Sequence, residues 1–384
     1  MITNGSSIGS IVVTFVSFYL YPIAGLNVPI WFDSSNGWHR SIDYHPEQPA
    51  RIDACVKEIQ RLKESQQMEG TILIDTTPDT STLWKDCAHE HQPFSEEELH
   101  HARDILLKTH DEEMVLTIEG SCSKSRDLRI SEGKDPLGFI GNIDEDTFLT
   151  TESFDVCLRA TAAWIRAVDH AFDKKQAAFA LTRPPGHHAT FQLSNGFCIV
   201  NFAAAAVVHL LESHDDIKVS VFDWDVHYGQ GVAKIIQKYS RARYVSIHQT
   251  PAFPYMGNKL GVSGEHLNVM TIPIPAETTW TCGYKEKFEE KVLPFVCSDN
   301  DSWKPNLVLI CAGYDALDSD ELASVSLQAK DYKAMASRLV KHLRENESSA
   351  SIALGLEGGY QLSEFAGGGN LPNAVTATIQ GLTE

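Results

Sequence analysis

The chain has 384 residues, with 32 Lys and Arg against 51 Asp and Glu and a formal net charge of −19. That balance argues against binding to a phosphate backbone, which needs clustered cations to displace counterions, and it suits cationic partners or a surface kept soluble by carboxylates. The length is enough to bury most of the apolar surface without a staple, and the eight cysteines, at 55, 87, 122, 157, 198, 282, 297 and 311, form no CxxC and no compact pairing framework, so they read as free thiols of a reducing compartment.

The first charged residue is Asp33. Before it, "IVVTFVSFYLYPIAG" (11–25) looks like the apolar core of a signal peptide, but no Lys or Arg precedes it and no A-x-A site follows. It is also short for a membrane span. Residues 1–28 are therefore read as an apolar extension, either a targeting segment or an added strand or floppy end, and 29–384 as one domain.

Strand-like runs follow at 71–76, 177–183, 219–225, 244–249, 269–275, 306–313 and 351–359. Amphipathic helices lie between them. In the segment 153–172, Phe154, Cys157, Leu158, Trp164, Ile165 and Val168 share one stripe, and another helix starts at Ser95, where Glu98 completes a capping box. The Gly-, Ser- and Lys-rich stretch 119–138 reads as a surface loop. This alternation predicts a single α/β domain with a mostly parallel central sheet of about eight strands and helices on both faces. Ligands of such sheets bind beyond the carboxyl ends of the strands.

Four of those ends carry unusual chemistry: "RPPGHH" (183–188), "DWDVH" (223–227), "AGYDA" (312–316) and "EGGY" (357–360). Asp225, His227 and Asp315 offer two carboxylates and one imidazole, the open three-donor set that suits catalytic zinc. Asp225 and His227 fall on one side of an extended strand by its period of two. A strand-end Asp and His satisfied by loop amides is the commoner arrangement; four such ends together favour the metal. His187 and His188 suit proton handling near neutral pH, and Pro184, Pro185 and Gly186 stiffen the turn that carries them. Asp223 can accept an N–H from one of the rings and raise its basicity. Tyr360, after two glycines, can turn its phenol toward an oxyanion.

Together these residues resemble the histone deacetylase family, of the arginase/deacetylase fold, in its class II-like branch. The likeness runs through "HPEQPARI" (45–52), "RPPGHHA" (183–189), "GFCIVNFAAAA" (196–206), "DWDVHYGQG" (223–231), "SIHQTPAFPYMG" (246–257), "NLVLICAGYDA" (306–316) and "LEGGYQL" (356–362). The resemblance implies catalytic Zn2+ on Asp225, His227 and Asp315, His188 as general base with His187 as its partner, Asp223 supporting His187, and Tyr360 polarising the acetyl carbonyl. It also implies an acyl-lysine tunnel past Gly196 and Phe197, with Phe253 as the second wall. A structural K+ would be held by Asp223, the carbonyls of Asp225 and His227, and Ser246 with the Ile247 carbonyl. Arg51 resembles the arginine of the family's inner acetate channel.

Three departures stand out: Tyr228 and Gln230 where the family usually reads "DWDVHHGNG", Gln361 for the Asn of "GGYN", and "FPYMG" for a double-Phe pattern. Polyamine-specific relatives place a Glu gatekeeper where this chain has Leu322, beside Glu321. The implied activity is hydrolysis of N-acetyl-lysine amides in proteins, histone tails included. The alternatives are deacetylation of acetylpolyamines or other small amides, and a non-catalytic acyl-lysine binding module. No nucleic-acid contact is expected, nor a membrane one unless the N-terminal segment is an anchor. The expected compartment is the nucleus or cytoplasm, or an organelle if residues 1–28 target one.

Overall fold

Parallel strands covered on both faces need side chains that are apolar on both sides, and the runs rich in Val, Ile, Leu and Ala supply them. The computed structural model describes residues 27–78, 89–298, 303–363 and 369–384. Its strands are β1 (Val28–Phe32), β2 (Thr71–Asp75), β3 (Glu90–His91), β4 (Phe139–Asn142), β5 (Phe148–Thr150), β6 (Ala178–Leu181), β7 (Val219–Asp223), β8 (Ala242–Gln249), β9 (Gly261–Ser263), β10 (Val269–Ile274), β11 (Leu307–Ala312) and β12 (Ser351–Leu356). Ten of them form one sheet in the order β3-β2-β1-β6-β12-β11-β7-β8-β10-β9, and β4 and β5 pair separately. Within the ten, β9 on β10 is the antiparallel pair, and the other pairs are parallel.

All seven expected strands are present. The sheet exceeds the expected eight because short edge strands, two residues in β3 and three in β9, extend an eight-stranded parallel core. Strand β1 begins at Val28. The apolar run 11–25, with its targeting reading, lies outside the described residues. No helix among the described residues is long and apolar enough to cross a membrane.

The helices are α1 (Ala50–Glu64), α2 (Glu96–Thr109), α3 (Glu112–Ser131), α4 (Ser153–Lys174), α5 (Phe202–Ser213), α6 (Gln230–Ile236), α7 (Tyr284–Lys287), α8 (Leu293–Val296), α9 (Ala329–Glu345) and α10 (Leu371–Leu382). They cover both faces. Val308, Ile310 and Ala312 of β11 enter a core shared with α1, α9 and α10, while Leu307, Leu309 and Cys311 enter one shared with α2, α4 and α5, the alternation that an extended chain imposes. Helix α4 lies close on the sheet: a Cβ added at Gly355 of β12 would come 1.9 Å from the Trp164 ring. The capping box of α2 is formed, with Glu98 N–H donating to Ser95 Oγ at 3.2 Å and Ser95 N–H to Glu98 Oε2 at 2.8 Å.

The expected loop 119–138 is corrected: its first part is the second half of α3. Gly120 and the serines are weak helix formers, but tertiary packing decides. Val115, Ile118 and Cys122 are buried, Asp111 caps the N-terminus, and Ser121 and Ser123 return their hydroxyls to the carbonyls four residues back.

A buried ionic cluster ties the turn before α1 to the end of β6. Arg183 Nε donates to Glu47 Oε1 at 2.6 Å, its Nη2 grips the other carboxylate oxygen, and its Nη1 donates to the His39 carbonyl at 2.5 Å. Burial opposes ionisation of Glu47, yet Arg183, with smaller help from His39 and Arg51, brings its carboxyl down to about 2. A folded-state value below the unfolded one stabilises the fold above the unfolded value, and that stabilisation is lost as pH falls through the folded one. Glu47→Ala, which strands Arg183, should cost about 3–5 kcal/mol in urea unfolding at pH 7, with the gap to wild type narrowing as pH falls from about 4.5 toward 2. A loss under about 1 kcal/mol at pH 7, the worth of an exposed pair, would contradict this.

Candidate active site

Strands β6, β12, β11 and β7 are neighbours, and their carboxyl ends lie nearly flush: Gly355 pairs with Ala180, Leu356 with Ala312 and Cys311 with Asp223. The four polar segments therefore leave the sheet side by side. Three of them hand a carboxylate to the backbone of another. Asp225 Oδ2 accepts Gly358 N–H at 2.8 Å, Asp315 Oδ1 accepts Val226 N–H at 3.0 Å, and Glu357 Oε2 accepts the N–H groups of Gly186 at 2.6 Å and His187 at 3.1 Å. These bonds join loops 89 to 171 residues apart in sequence.

Asp225, His227 and Asp315 converge so that one potential ligand atom from each lies within 4.8 Å of the others. One sequence expectation needs correction. Strand β7 ends at Asp223, so Asp225 and His227 do not face one ion through strand alternation. The backbone turns instead, with His227 N–H donating to Asp225 Oδ1 at 2.9 Å, and His227 Nδ1 comes 2.9 Å from Asp315 Oδ2 and 3.3 Å from Asp225 Oδ1.

The electrostatics call for a cation here. Burial opposes a charged His227, but Asp315 and Asp225 push it up to about 10, so a proton occupies what two buried carboxylates otherwise leave uncompensated. Tight backbone leaves the donors no other place: a Cβ at Gly313 would stand 2.0 Å from Asp225 Oδ2, and one at Gly358 would stand 2.4 Å from Asp315 Oδ2. Two hard oxygens and one imidazole nitrogen fit a divalent ion such as zinc. A second group of ligand types, His187, Cys198 and Glu357, also clusters, but burial pushes the Cys198 thiol well up, and a neutral thiol is a poor donor.

The two histidine rings lie 4.0 Å apart between centroids, tilted by 41°, yet sit in opposite fields. Burial disfavours the charged form of both. For His187 it is overcome by Asp225, 3.7 Å from Nε2, and by Asp223, 3.1 Å from Nδ1, which hold the ring well above its ordinary value. Among the described residues no carboxylate hydrogen-bonds His188; burial and the positive charges of His187 and His227 hold it well below, against the pull of Asp225. Gln230 brackets His188, its Oε1 2.7 Å from Nδ1 and its Nε2 donating to the His188 carbonyl at 3.1 Å. The amide oxygen can only accept, so Nδ1 carries the hydrogen and Nε2 is the free base. Asp223 is held in turn by the Tyr244 hydroxyl at 2.6 Å.

Tyr360 is buried, with the Arg51 guanidinium 4.7 Å from its ring centroid. Arg51 Nε donates to the Gly359 carbonyl at 2.7 Å and its Nη2 to the Glu357 carbonyl. The Phe197 ring meets Tyr360 edge-on at 5.6 Å, and Phe253 meets His188 edge-on at 4.8 Å. Between them Gly196, at φ +54°, leaves room where a Cβ would lie 2.6 Å from the Phe253 ring and 2.8 Å from His188. Leu322 is half-buried on the loop after Asp315. Of the residues assigned to potassium, Asp223 and Ser246 are cross-strand neighbours, and Ile247 is buried in the core. Sequence reasoning attached no role to Tyr244, Glu357 or Asp320, because a hydrogen bond to a distant loop leaves no local pattern.

A family model described as a histone deacetylase domain matches residues 45–371. The chain is 40% identical over 226 residues to an uncharacterized protein of Synechocystis, covering 59% of this chain and 70% of that one. It is 32% identical over 260 residues to a "Probable deacetylase" of Archaeoglobus fulgidus, covering 67% and 66%, so the alignment reaches just under two thirds of that relative. Among solved structures, the HDA15 HD domain superposes with a TM-score of 0.69 at 22% identity, covering 93% of this chain and 90% of that one, which bears on the fold.

Proposed function

Because the chain belongs to the histone deacetylase family, we propose that it is a zinc-dependent hydrolase that cleaves the acetyl amide of N-acetyl-lysine in proteins and releases acetate. Asp225, His227 and Asp315 would hold the ion, which when bound lowers the pKa of a water from about 15.7 toward about 7 and polarises a carbonyl. His188 Nε2 takes the water proton, with Gln230 fixing the tautomer. His187, kept charged by Asp223, faces the leaving amine as acid. The Tyr360 hydroxyl donates to the carbonyl oxygen as charge builds there. Phe197 and Phe253 wall the acyl-lysine stem and exclude water. The observation that carries this reading is geometric: beside a three-donor cation site stand two adjacent buried histidines with different partners, a carboxylate at His187 Nδ1 and a neutral amide at His188 Nδ1, and such different environments mark an acid and a base.

Within this reading Asp223 and Ser246, with the carbonyls of Asp225, His227 and Ile247, hold the structural potassium. The partners are acetylated lysines of proteins, histone tails among them. Among the described residues, Cys55, Cys122, Cys157, Cys198 and Cys311 are buried free thiols and Cys282 an exposed one, which suits an intracellular, reducing compartment.

One observation favours a small-amide substrate instead. Glu321 is exposed and receives the Tyr44 hydroxyl at 2.9 Å, so a carboxylate stands next to Leu322, where a second amine of an acetylpolyamine could find it. Acetyl-lysine peptide and acetylspermidine at equal concentration separate the two. The apolar Leu322 predicts peptide kcat/KM higher by about tenfold or more, a difference of about 1.4 kcal/mol; a preference for acetylspermidine would make this a polyamine deacetylase, and no turnover of either would leave a binding module.

Gln230→Leu should lower kcat by roughly 10- to 100-fold. The amide raises the His188 pKa, so its loss should also move the acid limb of the pH–rate profile to lower pH. An unchanged profile would contradict the assignment of His188 as base.

A further inference from the structure

The loop from β11 to α9 carries Asp315 into the site and then places a second carboxylate, Asp320, behind the tyrosine. Asp320 is 7% exposed. Its Oδ2 accepts the Tyr360 N–H at 2.7 Å and the Gln361 N–H at 3.2 Å, while its Oδ1 accepts the Leu322 N–H at 3.1 Å. The segment it grips is the turn after β12, where the Gly358 carbonyl accepts the Tyr314 N–H at 3.0 Å and the Gln361 carbonyl accepts the Leu371 N–H at 2.8 Å. Gly359 sits at φ +110°, and a Cβ there would meet Tyr314 at 2.8 Å, so Tyr360 hangs from a backbone joint that glycine alone suits. Three side chains hold this joint: Asp225 on the Gly358 N–H, Arg51 on the Gly359 carbonyl, and Asp320 on the two N–H groups that follow. Asp320 alone among them acts on the backbone of Tyr360 itself.

We infer that Asp320 is a positioning residue for the reaction: its carboxylate fixes the backbone of Tyr360 so that the phenol reaches the substrate carbonyl, and by sharing that carboxylate with the Leu322 N–H it locks the tyrosine in register with the tunnel's gatekeeper. This rests on the reading that Tyr360 donates to the developing oxyanion. Asp320 touches no substrate atom. A reacting group set off by about 1 Å can cost on the order of 100-fold, and a carboxylate that takes three N–H groups has no neutral substitute: in Asp320→Asn one oxygen becomes an NH2 that faces a donor.

The test is a double-mutant cycle on acetyl-lysine peptide, with zinc content measured for each protein. Asp320→Asn should lower kcat by roughly 10- to 100-fold, leave KM within about threefold because ground-state binding is untouched, and keep one zinc per chain. In the Tyr360→Phe background, assayed at raised enzyme concentration to resolve its residual rate, the same change should alter kcat by less than about twofold, since a residue that acts only through the hydroxyl has nothing left to position. An equal fold-loss in both backgrounds, or no loss in the first, overturns the proposal. If Asp320→Asn does not fold, Asp320→Ser, smaller and still an acceptor, goes through the same cycle under the same criteria. A Tyr360→Phe protein as active as wild type would remove the tyrosine's role and this proposal with it; a crippled Tyr360→Phe without coupling overturns the proposal alone.

Discussion

Asp315→Ala is expected to yield a folded protein that has lost stoichiometric zinc and, with it, all measurable turnover. The side chain is one of three donors, so its removal leaves one carboxylate and one imidazole, too few for a tetrahedral ion that also keeps a position for water. The loss should exceed the roughly 100-fold typical of an outer-shell partner. The fold should survive because Asp315 is a strained guest without a cation: burial and the neighbouring Asp225 push its carboxyl up, opposed by His227 and the Val226 N–H. Elemental analysis on purified wild type and variant checks the point. Full zinc occupancy in Asp315→Ala would refute the ligand assignment, and an unfolded variant would refute the claim that its burial is costly.

Tyr360→Phe should behave differently, with zinc content, fold and KM near wild type and kcat reduced on the order of 100- to 1,000-fold, equivalent to about 2.7–4 kcal/mol. Only an interaction made in the transition state produces that signature. The aromatic ring remains, so the stacking of Arg51 and the edge contact of Phe197 persist. Burial and nearby carboxylates hold the phenol well above its ordinary value, with Arg51 pulling the other way; the group thus stays protonated and able to donate across the neutral range. Turnover near wild type on acetyl-lysine peptide would rule out the role, and a KM rise with kcat unchanged would mean the hydroxyl only binds substrate.

The contrast between what the sequence made legible and what it hid follows from how the information is written. Strands buried on both faces announce themselves, and all seven expected runs lie in the sheet. The edge strands β3 and β9 do not, because two or three exposed residues carry no period. The convergence of His187, Asp225, His227, Asp315 and Tyr360 was legible because parallel strands put their carboxyl ends on one edge. The way Asp225 reaches His227 is ambiguous in the sequence, since a two-residue carboxylate turn and an extended strand leave the same D-x-H spacing, and the structure has the turn. Helix α3 was hidden by Gly120 and its serines, whose cost is offset by Val115, Ile118 and Cys122 packing beneath. Asp320 and Glu357 carry no local signal as site residues, because their partners are backbone N–H groups of remote loops, which every residue type but proline can supply.

The most direct measurement is acetate release from acetyl-lysine peptide by the purified protein before chelation, after chelation and after zinc is returned. The account predicts turnover that falls to background on chelation, recovers at one zinc per chain, and is absent from Asp315→Ala at every step. Turnover that survives complete removal of the metal, or a zinc-loaded protein that releases no acetate from peptide or polyamine, would contradict it.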